Sequence, residues 1–361
     1  MEAFITPVIV LTSVCFILGI LIVLTDKFLA DYGQCRLIIN GEKEFTVREG
    51  SPLLLYLTAN KIFIPSACGG KGTCGFCKGR VVTDIGPILP TERPFMTRQE
   101  LDENTRLLCQ IKLKKDTEII IPIEFFLTTE FLATVEYITP LSHDTRLFLF
   151  KLNDPSEIRF KPGQFVQFRI PKVREERAYS IACSPYEKGI VEFIVRFIPG
   201  GLCTTYMFHK FKVGDPVYLT GSYGDFYLRE YADNPIICVA GGSGSAPIRS
   251  IITYLWHKKS ERKIISFYGG RTSKDIYLTE YYEEIAKDMK DFTHIPAISE
   301  PRDGDDWDGE KGLITEVMER YLDDVSNYEA YMCGPPIMIE FACKLLTKLG
   351  IDSNRIYFDK F

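Results

Sequence analysis

The chain opens with an uncharged apolar run, Phe4 to Leu24, in which no polar face recurs. At helical rise its 21 residues reach about 32 Å, one hydrocarbon core, which predicts a single membrane-spanning helix. From Gln34 the pattern changes to short alternating segments. CRLIIN, a turn at Gly41 and EFTVREG read as a β-hairpin opening a compact β-rich domain. A second β-rich stretch, about 128–228, carries RLFLFKL, QFVQFRI, GIVEFIVRF and PVYLTG between Pro/Gly turns, the spacing of a small antiparallel β-barrel. Beyond it, apolar strands (PIICVA, KIISFYGG, EAYMCG) alternate with helical segments (IRSIITYLWHKK, IEFACKLLTKLG), the layout of a doubly wound α/β nucleotide domain. The expected organisation is a transmembrane anchor and linker at 1–33 and domains at 34–127, 128–232 and 233–361.

Composition narrows the partners. With 43 Lys and Arg against 48 Asp and Glu the net charge is −5, so the broad basic surface that phosphate backbones need is lacking and nucleic acid is excluded. Eleven cysteines, an odd number in a long chain, read as reduced intracellular thiols rather than a disulfide framework. A secretory signal peptide is the alternative for the apolar run, but its leading residues are Met1-Glu2 rather than basic, and the run exceeds the roughly 7 to 15 residues of such a core. Lys27 and Arg36 follow the run and no basic residue precedes it, which predicts that the domains after it lie in the cytoplasm, on an inner membrane crossed once.

Four cysteines carry the first chemistry. CGGKGTCGFC at 68–77 and the later Cys109 give the spacing C-x5-C-x2-C-x31-C over Cys68, Cys74, Cys77 and Cys109, the ligand set of a [2Fe–2S] cluster. Gly69, Gly70, Gly72 and Gly75 supply a loop able to take positive φ and to bring N–H groups close to sulfur. A structural zinc site is the alternative, though such sites usually pair two CxxC knuckles. A Rieske centre needs two His ligands, and all four His lie beyond the CxxC loop. The spacing resembles the plant-type ferredoxin fold, an α+β β-grasp, with one residue more between the first two ligands. The other seven cysteines read as small buried residues.

Arg177-Ala178-Tyr179-Ser180 resembles the flavin motif of the ferredoxin–NADP reductase family. The resemblance implies FAD, with Arg177 on its phosphates, Tyr179 on the isoalloxazine and Ser180 near N5, where it takes part in catalysis. A guanidinium, an aromatic face and a hydroxyl suit those tasks. Gly200-Gly201 followed by Cys203 and Thr204 fits a helix N-terminus offered to a pyrophosphate. Downstream, GGSGSAP places Gly241, Gly242, Gly244 and Pro247 between a strand and a helix, the context of a phosphate-cradling turn. Cys333-Gly334-Pro335 matches the family's CGPP signature, which implies that Cys333 neighbours the hydride-donating carbon, and the terminal Phe361 implies an aromatic cover for the flavin. At the end of the second strand of this half, Arg271 and Lys274 stand beside Asp275. GGRTSKDIY resembles NADH-using members more than NADPH-using ones.

The order of parts makes one electron path, NADH to FAD to [2Fe–2S] to a membrane partner, because a hydride carries two electrons and the cluster takes one. The whole layout, with ILPTE at 88–92, resembles the F subunits of sodium-translocating NADH:quinone oxidoreductases as a family. That resemblance implies other membrane redox subunits as partners. It departs from the family in the short IPKVREE before Arg177, where family members carry a long insertion. A membrane-anchored reductase for an oxygenase or desaturase is the second reading, and a noncatalytic electron carrier the third.

Overall fold

The computed structural model describes residues 2–28, 33–170, 176–301 and 307–360. Its contacts divide into two bodies, one of residues 1–64 and 71–123 and one of residues 65–70 and 124–361.

The first body begins with helix α1 (Glu2–Phe28), in which Thr12 returns its hydroxyl to Val8 O at 2.6 Å. The side chains of Val8 to Leu21 that are apolar and large stand exposed. Among the described residues no helix is long and apolar enough to cross a membrane. The helix is therefore shown and the predicted crossing is not; Phe4, Ile5, Thr6 and Ile22 of the apolar run fall outside the described side chains.

Strands β1 (Gln34–Ile39) and β2 (Lys43–Arg48) form the expected hairpin, turned by positive φ at Asn40 and Gly41. With β3 (Lys78–Val81), β4 (Thr105–Leu107) and β5 (Thr117–Ile120) they make a sheet ordered β2-β1-β5-β3-β4, in which only β1 and β5 run parallel. Helix α2 (Leu53–Ala59) buries Leu53, Leu54 and Leu57, and the short α3 (Arg98–Asp102) is held by a Thr97–Glu100 capping box.

The second body has two sheets. Strands β6 (Thr129–Pro140), β7 (Thr145–Asp154), β8 (Phe165–Arg169), β9 (Glu176–Ser180), β10 (Ile190–Arg196) and β11 (Pro216–Tyr223) run antiparallel in the order β10-β7-β6-β11-β8-β9, and helix α4 (Leu202–His209) joins β10 to β11. Among the described residues the end strands β9 and β10 come near each other without forming a ladder, and the sheet curls toward a barrel. Phe148, Phe150, Phe168 and Phe193 fill it.

The other sheet is parallel throughout, ordered β15-β14-β13-β12-β16-β17, from β12 (Ile236–Gly241), β13 (Ile264–Gly270), β14 (Phe292–Ile298), β15 (Glu310–Lys311), β16 (Glu329–Gly334) and β17 (Ile356–Lys360). Helices α5 (Ser245–His257) and α6 (Thr279–Asp288) join one buried cluster, α7 (Ile314–Tyr321) and α8 (Pro336–Lys348) another, so both faces are covered as the near-continuous apolar strands require. From β12 the chain leaves toward β13, while β16 lies on the other side of β12. The carboxyl ends of β12 and β16 therefore flank the switch point at which such sheets bind ligands.

Candidate functional site

On the cysteine loop, Gly69, Gly70, Gly72 and Gly75 all take positive φ, between +66° and +83°. A Cβ at Gly72 would stand 2.6 Å from Gln110 Nε2, and one at Gly75 would stand 2.7 Å from the Phe95 ring. The loop is thus shaped to a path that side chains would block. In the first body the thiols of Cys77 and Cys109 are in hydrogen-bond contact with Cys74 nearby, and that contact together with burial pushes the Cys77 thiol up. As cluster ligands these cysteines would be thiolates, and packed so closely they would need a cation among them, which the iron of a [2Fe–2S] cluster would supply. Gln110 donates its amide to Cys109 Sγ at 3.4 Å, the kind of outer bond that tunes a cluster. Cys68 lies on the stretch 65–70, which belongs with the second body. Among the described residues no group of three or more His, Cys, Asp or Glu is arranged around a single metal ion.

ILPTE has no chemical task of its own in the sequence, and the fold supplies one. Glu92 is fully buried and takes Arg106 Nη2 at 2.7 Å, Arg106 Nε at 3.0 Å, the N–H of Leu107 at 2.9 Å and the N–H of Leu89 at 2.9 Å. It fixes the strand that leads to Cys109. The N–H of Leu108 in turn donates to Cys77 O at 2.8 Å.

Arg177, Tyr179 and Ser180 stand half-buried on β9, paired with β8 through Phe168, Val166 and Phe165. The Tyr179 ring meets Phe168 and Phe193 edge-on or tilted, and its hydroxyl contacts the Cys203 thiol. Burial pushes that thiol up to about 11, so it stays neutral. Gly200 takes φ +74°, and Gly201 caps α4 without a side-chain bond, leaving first-turn N–H groups for an anion. Thr204 spends its hydroxyl on Ile198, donating to its carbonyl at 3.1 Å and accepting from its N–H at 3.2 Å; it shapes the loop.

The two nucleotide motifs meet. Ala240 on β12 pairs with Cys333 on β16. A Cβ at Gly244 would lie 2.1 Å from Cys333 O, and one at Gly334 would lie 3.1 Å from Gly241 N. Only glycine lets these backbones approach. Pro247 is buried in the first turn of α5, and α8 starts directly after Pro335. Cys333 is fully buried, and burial pushes its thiol well up, which leaves it a neutral neighbour rather than a nucleophile. Asp275 is engaged locally, its Oδ2 accepting from the N–H of Thr272 at 2.9 Å and of Arg271 at 3.2 Å. Phe361 lies outside the described residues, as do 171–175 of the segment before Arg177.

Arg196 belongs to no sequence motif. From β10 it pairs with Asp144 at 2.7 Å, and its Nη1 lies 4.0 Å from the Cβ position of Gly242, which brings a positive charge to the phosphate-cradling turn.

Three family profiles match this layout: a 2Fe-2S iron-sulfur cluster binding domain at 37–114, an oxidoreductase FAD-binding domain at 132–227 and an oxidoreductase NAD-binding domain at 238–344. The F subunit of the Na(+)-translocating NADH-quinone reductase of Neisseria meningitidis serogroup B is 33% identical over 98% of this chain and 98% of its own length. The chain belongs to this family of F subunits. The counterpart from Pseudomonas aeruginosa is also 33% identical, over 97% of this chain and 96% of its own. The Neisseria match spans 406 aligned positions against 361 residues here, so that relative carries residues this chain lacks. Among solved structures the chain is similar to the Amycolatopsis cytochrome P450 reductase GcoB (TM-score 0.72, 26% identity, 91% of this chain and 98% of that one). It is similar also to a ferredoxin reductase in carbazole 1,9a-dioxygenase (TM-score 0.70, 26% identity, the same coverage). It is an oxidoreductase of NADH that holds FAD and a [2Fe–2S] cluster.

Proposed function

We propose that the chain is the electron-input subunit of a sodium-translocating NADH:quinone oxidoreductase, anchored by α1 as a single membrane crossing with its catalytic domains in the cytoplasm. The expected divisions at 33, 127 and 232 separate anchor, cluster, flavin and nicotinamide parts. Cys68, Cys74, Cys77 and Cys109 hold the cluster. Arg177 and the α4 N-terminus at Gly201 bind the flavin phosphates, Tyr179 covers the ring and Ser180 stands by its reactive edge. Gly241, Gly242 and Gly244 admit the nicotinamide nucleotide's phosphates, with Arg196 and Arg271 adding charge, and Cys333-Gly334-Pro335 borders the nicotinamide. When bound, FAD takes two electrons as hydride and passes them on singly.

The observation that carries this reading is the match to the Neisseria F subunit over 98% of both chains. It leaves about 2% unmatched, and so takes in part of the apolar run. The likeness to the P450 and dioxygenase reductases favours a second reading, delivery to an oxygenase. Purification from detergent-solubilised membranes separates them. Co-purifying integral-membrane redox subunits, and quinone reduction by NADH that rises with sodium, are expected; a lone chain whose electrons reach only a soluble oxygenase overturns the pump reading.

A further inference from the structure

The flavin motif and the phosphate-cradling turn lie on different sheets of the second body, yet hydride transfer requires their bound groups to meet within a fraction of an ångström of one geometry. Buried side chains of α5 tie the two together. Arg249 Nη1 donates to Ala182 O at 3.0 Å and is paired with Glu192 on β10. Ser250 Oγ donates to Cys183 O at 2.6 Å. Arg249 and Glu192 are each 6% exposed and Ser250 fully buried, and the Tyr281 ring covers the guanidinium at 4.8 Å. The segment after β9 is held further on β10, since Ala182 N donates to Glu192 O at 2.8 Å.

We propose that Arg249 is a positioning residue for the hydride step, a strut that sets the phosphate-cradling turn against the flavin motif. Two of the three bonds from α5 end on backbone carbonyls, so they fix the path of the chain rather than fill space. Both levers are short. Ala182 follows Ser180 by two residues, about 7 Å at strand rise, and Arg249 follows Ser245, the first residue of α5, by four, about 6 Å at helical rise. A displacement at the strut is therefore carried to both sites nearly undiminished. The charge pair is suited to the task because it is directional, whereas an apolar contact of the same volume would tolerate sliding. Neither residue belongs to a motif, and neither touches the expected cofactor positions.

The inference rests on the reading of the second body as an NADH-to-FAD reductase. Its test uses the full chain, loaded with FAD and cluster, in stopped-flow reduction by NADH. For Arg249→Met we expect FAD content to be kept, half-saturation by NADH little changed, and flavin reduction at saturating NADH slowed roughly 10- to 100-fold, the scale of an ångström of misplacement. The long-wavelength charge-transfer absorbance of the NADH–flavin complex should weaken in parallel. Arg249→Met leaves Glu192 as a lone buried charge and lowers stability for that reason alone, so the paired variant Arg249→Met/Glu192→Leu is decisive. It removes both charges and should regain thermal stability without regaining the rate. Glu192→Gln, which keeps the bond to Ala182, should fall between. Recovery of the reduction rate with stability in the paired variant, or an unslowed Glu192→Gln and Arg249→Met, overturns the strut. Failure of NADH to reduce FAD in the unsubstituted chain overturns the reductase reading instead.

Discussion

The two bodies hold their chemistry differently. In the first, two of the expected cluster ligands, Cys74 and Cys77, sit on a short stretch whose Gly72 and Gly75 take positive φ, and one buried pair, Glu92 with Arg106, steadies the strand leading to Cys109. In the second, the flavin motif ends a barrel strand while the nucleotide turns end two strands of another sheet, and the buried pair Arg249 with Glu192 joins them. A cluster needs only sulfur at the right spacing around it, which a short loop can deliver. A hydride needs two large planar groups brought face to face, which no short loop can span. The same device, a buried Arg–Glu pair, therefore steadies one ligand-bearing strand in the first body and joins two halves of a site in the second.

That contrast can be broken at its largest point by Cys74→Ala. Loss of the cluster's visible absorbance and iron is expected, while NADH oxidation by a two-electron acceptor persists, because hydride reaches the flavin before any electron reaches the cluster. If flavin reduction also collapsed in protein that still held FAD, the bodies would not be separable in function. A smaller effect follows from Glu92→Gln. It leaves the Arg106 guanidinium buried without its counter-charge, which costs about 3 to 5 kcal/mol. Urea unfolding followed by cluster absorbance should shift by that amount, with faster iron loss to a chelator, and flavin fluorescence should report an unchanged second body.

What was legible in the sequence tracks how local each feature is. The Asn40-Gly41 hairpin, the cysteine loop, RAYS and the two glycine turns are set by a few consecutive residues, and their backbone needs can be read one residue at a time. The long strand β6 carries no motif that would announce it, although it pairs with both β7 and β11. Glu92, Arg196 and Arg249 stand in ordinary turn, strand and helix sequence. Their partners lie 14, 52 and 57 residues away in the chain, so apart from the ILPTE resemblance that takes in Glu92, nothing nearby marks them as other than solvated charges. Thr204 reads as a ligand contact from its place at a helix start, and the structure shows that its hydroxyl bonds to Ile198.

Acid separates the two bodies most gently. All four histidines lie in the second body, and one of them, His294 on β14, is enclosed. Its ring stacks on Tyr282 at 4.2 Å, its Nδ1 meets Ser266 Oγ at 3.2 Å, and its Nε2 is buried without a partner. Burial lowers its pKa from 6.5 to about 4, since the interior offers nothing to solvate the cation. The unfolded chain then binds a proton near pH 6.5 that the folded chain refuses until near pH 4, so stability is complete above 6.5 and falls as the pH drops through that window. A shift of this size is worth about 3 kcal/mol at most. Denaturant unfolding monitored by flavin fluorescence should show that loss between pH 6.5 and 4, and His294→Phe, which keeps an aromatic ring against Tyr282, should flatten it. The first body holds no histidine, and cluster-monitored unfolding should be level from about pH 6.5 to about 5, above the carboxylate range. An equal acid slope in the His294→Phe chain would assign the sensitivity to other groups and erase this distinction between the bodies.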